Sequence, residues 1–450
     1  MNKEIMTRLD QFRALLSKHG VQAAIVPQAD PHQGEYLAPH WQVRRWLSGF
    51  TGSAGAALWT DSRYFLQAAQ QLEGTGIELM KSGLCGTPTM AEYLCRELKS
   101  GDIVGLDGIL FTKAAVDSLK DSLGHCGIKL VANLDVIDEI WHNRPALPDG
   151  KIYVHELCYS GRKSSDKIEA ILHDAREKGC EAVFECMLDS IAWTLNIRCN
   201  DVKHTPVATS FLYLAPGASK LFIDGAKLTA QTRAYLAGEG VEVLPYNEVK
   251  NFLESLQAED KVLVDSSHTA YELLNILGDR AVDGGISAAN RFKSVKNDVE
   301  LQGIRRAMLR DGVAMVRSLM VIKRRVNAGE ATDELAVAEI LRHYRSIGEN
   351  YSDESFGTIA GYGPHGAIVH YEASAESSAT LRPEGLLLID SGAQYFDGTT
   401  DITRTIVLGT PTAAEKRDFT LVMKGHIALA QAVFPIGTCG TQLDVLAHQY

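Results

Sequence analysis

One order of elements occurs twice between residues 1 and 290, and it restricts the fold more than any other feature of this sequence. In the first occurrence Ile5, Leu9, Phe12 and Leu16 recur at helical spacing, His19-Gly20 stops the helix, and VQAAIV (21–26) reads as a buried strand. In the second, Ile168, Leu172 and Ala175 recur, Lys178-Gly179 stops the helix, and CEAVFE (180–185) follows. The two series then run in step. ALWTDSRY (57–64) matches KLFIDGAKL (220–228), GIELM (76–80) matches GVEVL (240–244), and GDIVGLD (101–107) matches DKVLVD (260–265). Strand alternating with helix over such lengths predicts two similar α/β domains, 1–150 and 151–290, with PALPDGK (145–151) as the junction. Two copies at so long a period do not make a solenoid.

After Asn290 the pattern changes. Asn297 followed by Glu300 reads as a capping box, which predicts one long helix through Val321 and a second from Thr332 to Tyr344. From Ser355 the chain reads as strands: SFGTIAG, GAIVHY, GLLLIDSGAQY and TTDITRTIVLG. A helix over 413–433 follows. Helices, then strands, then a helix predict an α+β domain over 291–450 with a largely antiparallel sheet.

Charge and composition narrow the function. A net charge of −11 disfavours nucleic acid, which requires clustered Lys and Arg. Lys323-Arg324-Arg325 is read as the solvated face of a helix. No apolar run approaches the ~18 residues a membrane span needs, and MNKEIMTRLDQF has no apolar signal core. A cytoplasmic protein is expected. The eight cysteines are scattered without a CxxC, so they read as buried small hydrophobes, not as a disulfide or zinc framework.

Few motifs carry chemistry. GYGPHG (361–366) satisfies G-x-G-x-x-G but precedes the strand-like AIVHY instead of a helix, so a Gly-rich turn between strands accounts for it better than a nucleotide site. TGSAG (51–55) lacks the first Gly of a nucleophile elbow, and no HExxH occurs. The informative stretch is LLLIDSGAQYFDGTTDITRT (386–405). Asp390 ends an apolar strand, Asp401 sits in a second strand, and Asp397-Gly398 is a hairpin signal between them. Folding back places the two carboxylates opposite or diagonal to each other. With Arg404 as the only local cation, one or two divalent ions would offset their charge. Edge residues facing water remain the other reading. His370, between apolar neighbours in a strand-like stretch, reads by itself as either structural or functional.

These segments resemble the aminopeptidase P family of pita-bread peptidases, in its three-domain form. DSGAQYFDGTTDITRT resembles the family's metal-binding stretch, and GPHGAIVHY its substrate-side stretch. SGFTGSAG with WTDSRYFLQAAQQ resembles the first domain, and IAWTLNIRCNDVKHTPV the second. The resemblance implies two creatinase-like N-terminal α/β domains followed by part of a pita-bread domain. It implies a metal-dependent enzyme that releases the N-terminal residue from peptides with proline in second position. It implies two divalent ions, typically Mn2+, with Asp390 and Asp401 as ligands. His370 would be a catalytic residue contacting the peptide near the scissile bond, and Arg63 a peptide-binding residue reaching in from the first domain. A homodimer without nucleic-acid or membrane partners is expected. A prolidase-like dipeptidase and a catalytically inactive binding member of the fold are the competing readings.

Three departures accompany the resemblance. The family's remaining ligands, one His and two Glu, lie beyond Tyr450, so the 450-residue chain is expected to bind manganese poorly and cleave essentially no Xaa-Pro peptide. The join from Ser53 to Trp59 is shorter than the family's hairpin there, next to Arg63. Cys199 stands where a Gly is usual in LNIRCND.

Overall fold

The computed structural model describes residues 2–52, 59, 60 and 64–450. Each half of the repeat builds its own sheet, and the two sheets differ in size. In the first half, helix α1 (Asn2–Lys18) leads to strand β1 (Ala23–Ala24). Helix α2 (Met90–Glu97), β2 (Ile103–Gly105), α3 (Lys113–Gly124) and β3 (Lys129–Val131) follow. The three strands pair in parallel in the order β1-β2-β3. Trp59–Thr60 pairs in parallel with Met80–Lys81 as a separate ribbon.

The second half repeats the scheme with α4 (Ser164–Glu177), β4 (Ala182–Glu185) and α5 (Leu188–Thr194). Strands β5 (Phe211–Leu214), β6 (Ser219–Phe222), β7 (Val241–Leu244), β8 (Val262–Val264) and β9 (Ala281–Asp283) complete it. They form one mixed six-stranded sheet, ordered β7-β6-β5-β4-β8-β9. β4 and β5 are buried at every position, as strands covered on both faces must be. Pro145–Lys151 carries neither helix nor strand. The halves are joined by His32, whose ring nitrogens meet the Cys186 carbonyl and the Tyr246 hydroxyl, each at 3.0 Å.

The last part opens with α6 (Asp298–Asn327), capped by the Asn297–Glu300 box, and α7 (Glu334–Ser346). Both outrun the expected ends, because each continues to bury a residue in its last turn: Val326 in α6 and Arg345 in α7. Lys323 and Arg324 are exposed, as a solvated face requires. Two antiparallel three-stranded sheets follow. One comprises β10 (Tyr351–Glu354), β13 (Ala393–Tyr395) and β14 (Gly398–Thr399). The other comprises β11 (Ile359–Tyr362), β12 (Leu386–Ser391) and β15 (Ile402–Val407). Helix α8 (Ala413–Ala430) comes next. Leu387 and Ile389 of β12 pack with Ile322, Val337 and Leu341 of the two helices.

Two expectations are corrected here. The cysteines are not uniformly buried and unpaired. Cys95 in α2 and Cys126 after α3 form a disulfide, while Cys85, Cys158 and Cys439 are exposed. Helix packing brings the first pair to a Cα separation of 5.8 Å, within disulfide range. Nor is AIVHY a strand. Gly363–Ala367 is a 3-10 turn, and His370 lies in the turn after it.

Candidate active site

Strand β12 is the platform of the site. Leu387, Ile389 and Ser391 are buried, while Leu386, Leu388 and Asp390 alternate with them on the less covered face. β15 pairs with β12 so that Asp390 lies opposite Thr403 and Ser391 opposite Ile402. Asp401, one residue before β15, is therefore diagonal to Asp390 and not in a strand of its own, where the sequence had put it. Gly392 makes this crossing possible, since a Cβ there would overlap the Thr400 carbonyl and the Ser355 hydroxyl. The turn between the aspartates is pinned from behind. Asp397 is buried and holds Arg306 and Arg310 of α6.

The pair is poorly compensated. Burial, then the charge of Asp390 and a hydrogen bond to it, raise the Asp401 carboxyl above its ordinary range. Asp390 accepts a hydrogen bond from Thr403 Oγ1 at 2.7 Å. Arg404 pairs across the sheet with Ile389, on the opposite face, and spends its Nη1 on the Thr403 carbonyl. Among the described residues neither aspartate has an ion-pair partner. These donors, hard oxygens with unmatched charge, fit a divalent cation. They supply only part of a shell, since no cluster of three or more metal-ligating side chains occurs among the described residues.

Three other segments converge on this face. The hydroxyl of Tyr64, a buried residue of the first half, lies 2.6 Å from His370 Nδ1 with the rings edge-on. Tyr36, from the same half, has its phenol raised by burial first, then by the charges of Glu35, Tyr64, Asp401 and Asp390. It meets His204 of the second half edge-on at 6.2 Å, and His204 Nδ1 lies 3.1 Å from the Glu354 carbonyl.

The loop bearing His370 is organised by Glu334, the fully buried first residue of α7. Its Oε1 accepts from the Tyr362 N–H and lies 2.8 Å from His365 Nδ1. Its Oε2 accepts from the Tyr371 hydroxyl and the Ala379 N–H. His365 stacks on Tyr371 at 4.4 Å. Gly361 permits the tight return, since a Cβ there would lie 2.8 Å from the Gly366 nitrogen.

Family models match along almost the whole chain. The creatinase/prolidase N-terminal domain matches residues 8–140 and, in a second form, 143–300, and metallopeptidase family M24 matches 302–450. Aminopeptidase P2 of Arabidopsis thaliana is 38% identical, covering 98% of this chain and 68% of that protein. The chain belongs to the aminopeptidase P family. A probable Xaa-Pro aminopeptidase P of Aspergillus oryzae is also 38% identical, over 98% of this chain and 70% of its own length. The X-prolyl aminopeptidase of Caenorhabditis elegans, described as a cytosolic enzyme with a di-nuclear active site, superposes with a TM-score of 0.92. It is 34% identical, over all of this chain and 77% of that one.

Within this aminopeptidase P-family chain, Asp390, Asp401 and His370 lie in the segments gathered on the β12 face. Arg63 and the shortened join lie outside the described residues. Cys199 is fully buried, with Sγ 3.3 Å from Asp201 Oδ1, and burial together with that carboxylate pushes its thiol up to about 12. Tyr36, Tyr64, His204 and Glu334 were not anticipated from sequence. Tyr64 had a signal in its place beside Arg63 in DSRYFLQA, and His204 in its place within IAWTLNIRCNDVKHTPV.

Proposed function

We propose that this protein is a metal-dependent aminopeptidase releasing the N-terminal residue from peptides with proline in second position. The observation that carries this reading is the Asp390–Asp401 pair, which has no ion-pair partner among the described residues, in a chain of the aminopeptidase P family. Asp390 and Asp401 would hold divalent ions, manganese in our reading. Bound there, such ions would supply a water of lowered pKa and a positive charge toward the scissile carbonyl.

The remaining work falls to this chain's own side chains. With the Tyr64 hydroxyl as donor to His370 Nδ1, the ring proton would lie on Nε2, which would face substrate. His370 then donates a hydrogen bond to the oxygen that gains charge or to the departing amine. Arg63, next to Tyr64, binds the peptide. Tyr36 and His204 wall the same face from the two N-terminal halves. A peptide bond to proline lacks an N–H and has a fixed φ, so a dedicated site suits it.

The domain limits in this reading are 1–150, 151–290 and 291–450. We also read the protein as a cytoplasmic homodimer without nucleic-acid partners. The description of the worm relative as cytosolic supports the compartment, and no described helix is long and apolar enough to cross a membrane.

The test compares kcat/KM of the full-length gene product on Xaa-Pro-Yaa, Xaa-Ala-Yaa and Xaa-Pro peptides. The first should be cleaved best, at the Xaa-Pro bond. Equal turnover of the alanine series, or cleavage confined to the dipeptide, would overturn the assignment.

A further inference from the structure

The second repeat meets the turn of the aspartate hairpin across a cavity of about 480 Å3, whose wall includes Trp193 and Phe396. Lys167, Arg198, Lys293 and Lys296 bring positive charge to it, and Asp189, Glu300 and Asp397 bring negative charge. The acids are already committed. Asp189 pairs with Lys293, and Asp397 with Arg306 and Arg310. Glu300 accepts from the Asn297 N–H at 2.8 Å and from Trp193 Nε1 at 3.3 Å.

That leaves two cations without an ion pair, with Glu300 the carboxylate whose charge acts on both. Lys167, 1% exposed, donates to the Trp193 carbonyl at 2.8 Å and to Asn196 Oδ1 at 2.7 Å, and lies 4.3 Å over the Trp193 ring. Half-buried Arg198 spends Nη1 on the Ala192 and Ile197 carbonyls, at 2.8 and 2.9 Å. Among the described residues neither forms an ion pair, and no protein acceptor takes Arg198 Nε or Nη2. Burial and the surrounding charge both act here. Burial first, then the charges of Arg198 and Lys167, bring His155 down to about 3. Burial, opposed by Glu300 and assisted by Arg198, brings Lys167 down to about 7.

Buried charge is ordinarily paired, because leaving water uncompensated is unfavourable. A guanidinium with one edge unused beside an ammonium with a spare proton suits a compact oxyanion. We propose that this cleft binds a phosphate or carboxylate group on Arg198 and Lys167, with Lys296 at its rim. A bound oxyanion would lie between the second repeat and the turn joining the two aspartate strands. The site is separate from the peptidase reading and is tested without an activity assay.

The experiment titrates inorganic phosphate, and separately acetate, into the full-length protein by calorimetry against sodium chloride of equal ionic strength. Saturable binding of either is expected, and the tighter of the two identifies the kind of ligand. Arg198→Gln should weaken that binding about tenfold or more, the scale of one charge-assisted hydrogen bond. Should that variant not fold, exposed Lys296→Ala is the second measure and should weaken binding about threefold. Binding of neither ion, or an affinity unchanged in the folded variants, would overturn the proposal.

Discussion

The two halves of the N-terminal repeat follow one order of elements and do different work. The first half is the lesser structure, with a three-stranded sheet and a separate two-stranded ribbon. It is also the half that brings Tyr64 to His370 and Tyr36 into the field of the aspartates. The second half buries a six-stranded sheet between two hydrophobic clusters and contains the fully buried Lys227–Asp201 pair. Among its described residues His204 reaches the site, and the charged cleft lies on the same half. The repeated fold thus places the Tyr64–His370 contact in one half and the larger buried sheet in the other.

The division is sharpest where a substitution separates stability from rate. Lys227→Met strands Asp201 in the second half's interior, so unfolding should become easier by roughly 3–5 kcal/mol, while molecules that remain folded keep their kcat. Denaturant unfolding with activity measured in parallel checks this, and a stable variant would break the contrast. His370→Ala should lower kcat and kcat/KM together, by roughly a hundredfold to a thousandfold, with bound metal unchanged. Loss of metal in that variant would make His370 a ligand instead.

Tyr64→Phe is milder and more diagnostic. It removes one hydroxyl from the first half, worth about 1 kcal/mol, so stability should scarcely change. kcat should fall about tenfold with KM unchanged, because His370 loses the partner that sets its tautomer. A matched fall in melting temperature and activity would assign Tyr64 a structural role only. A pH-dependent effect concerns His155 at the cleft. Its folded pKa of about 3 lies below the ordinary 6.5, so the unfolded chain binds the extra proton between those values. The stability that neutral His155 contributes is complete above pH 6.5 and is lost as pH falls toward 3. His155→Gln should flatten that part of the stability–pH curve, and an unchanged curve would remove His155 from the account.

What the sequence revealed follows from locality. The helix caps, the repeat and the aspartate hairpin rest on neighbours within a few residues, and Asn297, Glu300, Asp390 and Asp401 sit where those rules put them, give or take Asp401's one-residue displacement from its strand. The errors arise where a distant group decides. AIVHY alternates like a strand, yet Glu334 captures Tyr362, His365, Tyr371 and Ala379 and bends the segment into turns. In the sequence Glu334 is indistinguishable from any acid favoured in a first helical turn. The Tyr64–His370 contact spans 306 positions, and the Cys95–Cys126 pair joins the region of two different helices across 31. Neither separation leaves a local trace.

The central claim is that Asp390 and Asp401 form a cation site on which peptide cleavage depends. The most direct test measures bound metal and turnover of an Xaa-Pro-Yaa peptide in the same samples of full-length protein, first stripped by a chelator and then refilled with manganese. Turnover should vanish on stripping and return in step with bound metal, and Asp390→Asn and Asp401→Asn should recover neither. Turnover that survives chelation, or an asparagine variant that cleaves like the parent, would contradict the account.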